Sequence, residues 1–448
     1  MIRPATSDDE QQFLRKLYWY SFAVRFMFGM AGWVLLQLGN FEFVRDAAYY
    51  EELGSQVAND WLKGRSSEAL SHDGFTPHKA RLMIVFIAVC YTLMLGWRAL
   101  PVIIFLNAIL TAYTPLWTYR ITRQLGGSMR AARWSGWIIA VTPAFAFWSG
   151  ALYKEGLIML ALNIAIYYLF ELQKAWSPRS LVILALCVGA LSALRLYLAA
   201  IVSMVLCLSL LLGQRQPDET AASTGRFGGR SAAFQRRRRL EASVRSLPTV
   251  MIRQLLIAAI FVVGMVVIGF TDQVQNALPA DIEDGIAQIG ASRNDLAENN
   301  SGYLTDAEFS NLSEAIDFLP LGFLYFVCVP FPWQFGSLRQ NIAIPDTTLW
   351  LMMYPFIVVG LFRSLRTRFQ GTISIIVVTF AICCFYALFV GNAGTAYRLR
   401  IQVWLLWAPF IGIGWESVPW PQRSAKALGQ RRRQLPSSHL APQTISST

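Results

Sequence analysis

Charge is scarce in this sequence. Asp, Glu, Lys and Arg together make up 15% of its 448 residues, against 55% hydrophobic residues. That is too little polarity to clothe the two or three soluble domains such a length would allow. Histidine is scarcer still. The three present are His72, His78 and His439, and none falls in an apolar run, which disfavours membrane acyltransferases and intramembrane serine proteases. The six cysteines, Cys90, Cys187, Cys207, Cys328, Cys383 and Cys384, all lie in hydrophobic stretches. No disulfide framework or loop metal cluster is available from them, and they read as packing residues. A cleavable leader is not expected, because the first 17 residues carry Asp8, Asp9 and Glu10 and the first apolar block lacks a small-residue cleavage site. No internal repeat of the inverted-transporter kind is visible.

Long apolar runs are what the sequence has in abundance. Blocks fall at 18–38, 82–97, 100–119, 134–151, 156–172, 180–195, 197–213, 253–270, 318–335, 348–363, 372–390 and 402–416, many near the length that crosses a hydrocarbon core about 30 Å thick. The fold class expected is an all-α polytopic integral membrane protein. The net charge of +12 raises nucleic acid as a partner, but the charges are sorted by loop, as membrane topology demands, so no nucleic-acid partner is expected.

The connectors are of two kinds. Arg120 to Arg133, Lys174 with Arg179, the stretch from Arg215 to Arg253 with four arginines at 236–239, Arg363 to Arg368, and the tail from Arg423 are basic and should face the cytoplasm. Residues 39–80 hold seven Asp/Glu against four Lys/Arg, and residues 271–316 hold nine against Arg293 alone; these should face outward. If every block crossed, Arg120 to Arg133 and the 236–239 run would share a side with the acidic first loop. Two blocks are therefore read as interfacial or re-entrant helices on the outer face: 82–97, which is short, and 318–335, which is broken by Pro320, Pro330 and Pro332. About ten spans remain, with both termini cytoplasmic. The parts are a cytoplasmic N-terminus (1–17), a first transmembrane module (18–213) with an outer loop at 39–99, and a basic cytoplasmic loop (214–252). A second module (253–416) with an outer loop at 271–347 and a basic, disordered tail (417–448) complete the chain.

With that path, the informative residues are those that break the local rule. Lys154, Arg195, Arg398 and Arg400 sit at outer ends of spans, where cations are otherwise rare. The bland reading of each is a snorkelling side chain or a local ion pair, such as Lys154 with Glu155. Four on one face suit a phosphate, which Arg grips in bidentate fashion. Arg195 interrupts the apolar run 181–212, and Arg398 and Arg400 fall in "GNAGTAYRLR", read as a glycine-bearing outer loop before the last span. In the first outer loop Asp46 precedes Ala47, Ala48, Tyr49 and Tyr50 and suits a helix N-cap, a role compatible with catalysis. His72 and His78 with Asp73 are a candidate metal set, weighed against ordinary solvated loop histidines. No metal is assigned. The cluster "VPFPWQF" with Trp333 reads as an interfacial anchor or a sugar-stacking wall.

An Asp-Ala-x-Tyr-Tyr segment after the first span, the basic "YRITRQLGG", "PAFAFWSGALYKEG" leading into the next span, Arg195 within a helical pair and the late "AYRLR" together resemble the GT-C membrane glycosyltransferases. The likeness is to the family-39 type, the bacterial relatives of protein O-mannosyltransferases and of the lipid A aminoarabinose transferase. It is better over 18–213 than over the last 130 residues. The resemblance implies a GT-C-like bundle in the bacterial cytoplasmic membrane and a polyprenyl-phosphate sugar donor used at the outer face with inversion. The acceptor would be a glycan, lipid or protein. It implies that Asp46 lies at the reaction centre with Glu155 in support. This chain has Asp46-Ala47 where the family more usually has Asp-Glu, which opens a role for Glu51 or Glu52, and Lys154 is an addition beside Glu155. Transfer from a phosphate-linked sugar needs a base for the acceptor hydroxyl and positive charge for the departing phosphate. Asp46 is the expected base, and Lys154, Arg195, Arg398 and Arg400 are the phosphate ligands. Tyr49, Tyr50, Glu51, Tyr197, Trp333 and Tyr397 are substrate-contact candidates. No cofactor is expected. The rivals are a glycan polymerase or ligase acting on diphosphate-linked oligosaccharides, and a flippase without chemistry.

Overall fold

In a computed structural model of the chain, the described residues are 8–38, 45–65, 80–175, 177–212, 282–298 and 301–418, apart from 306, 308, 310, 336 and 337. The His72, Asp73 and His78 loop, the basic insert 214–252 with its arginine run, the apolar block 253–270 and the tail from 419, with His439, lie outside them. Among the described residues the regular elements are helices, with one isolated bridge between Gly302 and Asn392. Four stretches are long and apolar enough to cross a membrane, Leu100–Gln124, Glu155–Lys174, Gln340–Thr367 and Phe369–Phe389, and Arg81–Leu93, Pro178–Leu194 and Leu196–Ser209 are shorter apolar helices. The molecule is a helical membrane protein.

The chain opens with α1 (Asp8–Gln37), followed by α2 (Arg45–Leu62) and α3 (Arg81–Leu93). α3 covers the 82–97 block. Its 13 residues span about 20 Å, short of a crossing. It packs Met83, Ile84 and Ile87 into the core, and the turn after it exposes Leu93, Leu95 and Trp97. Two expected spans are each divided by proline. The 100–119 block is α4 (Leu100–Thr111) and α5 (Thr114–Gln124), and the 134–151 block is α6 (Met129–Val141) and α7 (Pro143–Gly150). Pro115 and Pro143 open α5 and α7 at the first helical positions, where a missing N–H costs nothing and the preceding turn must stop. Pro143 cannot donate to Ile139 O, and that carbonyl accepts instead from Nη2 of the fully buried Arg25 of α1 at 3.3 Å, while buried amides tie the broken helices to their neighbours. Asn107 Nδ2 donates to Ser149 O at 2.7 Å, and Asn163 Nδ2 donates to Thr114 O at 3.2 Å and Thr118 Oγ1 at 2.8 Å.

α8 (Glu155–Lys174) runs through the centre, flanked by α9 (Pro178–Leu194) and α10 (Leu196–Leu212). After α11 (Ile282–Ala297) comes α12 (Leu312–Cys328), the second block read as non-crossing. It carries Pro320 internally and ends just before Pro330. α13 (Leu338–Thr367), α14 (Phe369–Phe389) and α15 (Ala393–Ser417) close the bundle. α13 and α15 lie backbone to backbone. A Cβ on Gly360 would run into the Phe410 carbonyl, and one on Gly414 into that of Phe356. Small residues allow this approach in a membrane bundle.

α15 corrects one expectation. "GNAGTAYRLR" is not a loop ahead of the last span: Asn392 caps the helix, its Oδ1 accepting from Gly394 N at 2.9 Å and Thr395 N at 3.3 Å, and the helix runs unbroken over Ala393–Ser417. Asn is a strong N-cap, and the signal lies in the asparagine rather than in the glycine beside it.

Candidate functional site

Five connectors that are distant in sequence meet at one end of the bundle. The first turn of α2 brings Asp46, the α7–α8 turn brings Lys154 and Glu155, and the break between α9 and α10 brings Arg195. α11 brings Ser292, Asp295 and Leu296, and the start of α15 brings Thr395, Arg398 and Leu399. Apart from Glu155, which lies behind them, these residues line a cleft of about 420 Å³ together with Tyr197 and Phe389.

Glu155 is the hub. It is fully buried at the first position of α8 and both its oxygens are taken. Arg398 meets it in bidentate fashion, Nε to Oε1 at 2.7 Å and Nη2 to Oε2 at 3.0 Å, and Arg195 Nη2 donates to Oε1 at 2.7 Å. Arg195 reaches inward because the chain breaks helix there for one residue. Its backbone is extended, with φ −162° and ψ 92°. Its Nη1 donates to the Tyr386 hydroxyl at 3.3 Å, which in turn donates to Gln402 Oε1 at 3.1 Å. Two guanidiniums on one buried carboxylate carry one positive charge in excess, and with Lys154 they face Asp46 and Asp295 across the cleft; planar donors held in this way are suited to grip an anion. A carboxylate so fully engaged positions the two arginines.

The Asp46 side chain is 41% exposed, and Oδ2 accepts from Arg398 Nη1. It lies within the first turn of α2 rather than capping it, and the carboxylate points across to α15. Tyr50 is buried one turn on, and burial, with Glu155 and Asp46 nearby, raises its phenol above the ordinary value. Arg398 also lies over the rings of Tyr153 at 4.7 Å and Trp148 at 5.4 Å, which fix the guanidinium plane. Lys154 lies half-buried between these groups; burial and the nearby Arg195 push its ammonium down to about 8, with Arg398 acting in the same direction and Glu155 and Asp46 against it.

The remaining expected residues fall elsewhere. Arg400 is two positions from Arg398 and therefore about 200° around the helix. It is fully buried, stacked on Trp404 at 4.4 Å, and donates to Phe326 O, Val327 O and Thr347 Oγ1 at 3.3, 2.7 and 3.1 Å. It braces α12 and α13 against α15 and does not line the cleft. Tyr397 also turns away, its hydroxyl donating to Asp346 Oδ2 at 2.9 Å. Glu51 accepts from Tyr91 OH at 2.8 Å and from Arg98, whose Nη2 also reaches Glu52 at 3.0 Å; this clamp holds α2 against α3. Tyr49, 38% exposed, packs edge-on against Tyr50. Trp333 is 72% exposed and stacks on Phe331, the disposition of an interfacial anchor. Tyr197 does line the cleft. Among the described residues no group of His, Cys, Asp and Glu side chains could hold a metal ion. Sequence reasoning missed Ser292 and Asp295: Asp295 is one of nine acidic residues in its loop and no pattern singles it out.

In comparisons with known proteins, no family model and no curated protein matches this chain.

Proposed function

We propose that this chain is a multi-pass membrane glycosyltransferase of GT-C-like architecture. In this reading it has about ten spans, cytoplasmic termini and a cleft opening on the outer face of a bacterial cytoplasmic membrane. It moves a sugar from a polyprenyl-phosphate donor to a hydroxyl of a glycan, lipid or protein acceptor. The observation that carries the reading is the Glu155-bridged pair Arg195 and Arg398, with Lys154 beside it and the carboxylate of Asp46 on the same cleft. The acceptor oxygen attacks the anomeric carbon as the bond from that carbon to the phosphate oxygen breaks. The electron pair leaves on the phosphate, the acceptor proton passes to Asp46, and the anomeric centre inverts. The phosphate gains one negative charge in this step, and that is the charge the two guanidiniums and the ammonium are placed to meet. A well-placed donor of this kind contributes on the order of 10²–10³ in rate.

The test is mass spectrometry of lipids co-purifying in mild detergent with the wild-type protein and with Asp46→Asn. A polyprenyl phosphate bearing one sugar, enriched on Asp46→Asn because it binds without turning over, is the expected result. A diphosphate-linked oligosaccharide indifferent to Asp46 would move the assignment to a glycan polymerase or ligase. Absence of any isoprenoid lipid would leave a transporter.

A further inference from the structure

Arg398 has three donor positions in use. Two are committed to Glu155, which is fully buried and cannot leave without stranding two guanidiniums. The third, Nη1, is held by Asp46, whose carboxylate is exposed and is borne on a different helix. Arg398 lines the cleft together with Lys154 and Arg195, so an anion that enters between them meets the same guanidinium. In this arrangement Asp46 is poorly placed as a base, because its oxygen is tied to a cation and its negative charge occupies the ground a phosphate needs. We propose that the donor phosphate and Asp46 compete for Nη1 of Arg398, so that arrival of the phosphate displaces the carboxylate and frees it to take the acceptor proton. The ion pair between Arg398 and Asp46 is then a latch: the base is released only when a donor is in place, and solvent does not meet an activated Asp46 otherwise. This inference rests on the phosphate-site reading above and adds the order of events within it.

The competition has a sign that simple loss of a site residue does not. Removing the Asp46 charge should strengthen binding of a bare phosphate monoester, while removing the Glu155 charge should weaken it. The probe is geranyl phosphate, a soluble isoprenyl monophosphate without a sugar, titrated by calorimetry into detergent-purified full-length protein, with melting curves confirming that each variant is folded. Asp46→Asn is expected to bind it about tenfold more tightly than wild type, the equivalent of one charge-assisted hydrogen bond returned to the ligand. Glu155→Gln is expected to bind about tenfold or more weakly. Equal or weaker binding by folded Asp46→Asn, with wild type binding well, overturns the latch and leaves the phosphate site standing. Failure of wild type and both variants to bind overturns the phosphate site and the latch with it. A measurement on wild type alone covers the case of an unfolded variant: infrared difference spectra on adding geranyl phosphate should show a carboxylate stretch moving toward the free-ion position. An unchanged carboxylate region counts against the latch.

Discussion

At the scale of single residues, the pair Arg398 and Arg400 shows how far side-chain type alone misleads. Both are arginines two positions apart in an unusual place, and helical geometry sends one to the cleft and the other into the core. Their replacements should fail in different ways. Arg398→Gln should lower transfer by about 10²-fold or more and weaken donor binding even in the folded fraction, beyond the stability lost when buried Glu155 gives up one of its two cations. Arg400→Gln should cost about 2–4 kcal/mol of stability, because Phe326 O, Val327 O and Thr347 lose their buried donor, and the folded fraction should keep its donor affinity. Thermal melts set beside donor KM separate the two. Lys154 offers a second residue-scale test. Its ammonium, surrounded by Arg195, Glu155, Arg398 and Asp46, loses its proton near pH 8, while a sugar phosphodiester keeps its single charge throughout that range. Donor binding favours the protonated lysine, so affinity should be level below about pH 8 and fall as pH rises through it, by at most about tenfold per unit. Lys154→Gln should bind more weakly at neutral pH and show no such fall; a wild-type profile flat from pH 7 to 10 would remove Lys154 from the phosphate site. The four cations stand out in the sequence because each breaks the charge rule at a span end, and Asp46 because it heads the Asp-Ala-x-Tyr-Tyr segment. The division of labour among them is not legible there, since it depends on where α15 begins, which Asn392 decides.

At the scale of elements, hydrophobic runs mark where apolar chain lies but not where helices start, stop or break. Pro115 and Pro143 divide two runs that hydropathy joins. α13 begins ten residues ahead of its apolar block and tolerates Pro345 and Pro355 on the way. Such breaks survive inside the bundle because Arg25 reaches the carbonyl freed at Pro143 and Asn107 and Asn163 tie the broken helices to their neighbours, and those contacts have no local signature. The glycines are similarly opaque until the partner helix is known. Gly360 and Gly414 are one residue type among many in the sequence, yet in the fold each lies against the other's helix backbone. Gly360→Leu should therefore separate α13 from α15 and cost upward of about 2 kcal/mol. Because α15 carries Arg398, it should also lower transfer activity. Gly189, which has open space where a Cβ would go, is the control: Gly189→Leu should leave the melting temperature within a few degrees. Equal effects of the two substitutions would mean the close crossing is not what holds these helices together.

At the scale of the whole molecule, the charge pattern along the chain and the grouping of its connectors in space agree. The loops read as outer, at Asp46, Lys154, Arg195, Asp295 and Arg398, converge on one cleft. The connectors read as cytoplasmic gather at the opposite end, where Tyr119 OH donates to Glu10, Gln124 to Glu171, Ser128 to Glu416 and Arg363 to Ser417. The two ends are separated by the 20 residues of α8, about 30 Å of helix, so the molecule presents a basic face and a cleft face one bilayer apart. In the proposed reading the positive-inside rule puts the basic face in the cytoplasm, and this can be tested without reference to any activity. Trp97 is exposed in the turn between α3 and α4 beside the Arg98 clamp, and Ala175 is exposed just beyond the far end of α8. The native cysteines are buried or half-buried, which keeps background labelling low. In intact cells whose outer membrane has been made permeable, a membrane-impermeant maleimide should label Trp97→Cys at once and Ala175→Cys only after the inner membrane is broken. Labelling in the reverse order would turn the cleft toward the cytoplasm, where lipid-linked sugars are assembled rather than spent. It would thereby displace the proposed direction of transfer while leaving the Glu155, Arg195 and Arg398 cluster as an anion site in need of another substrate.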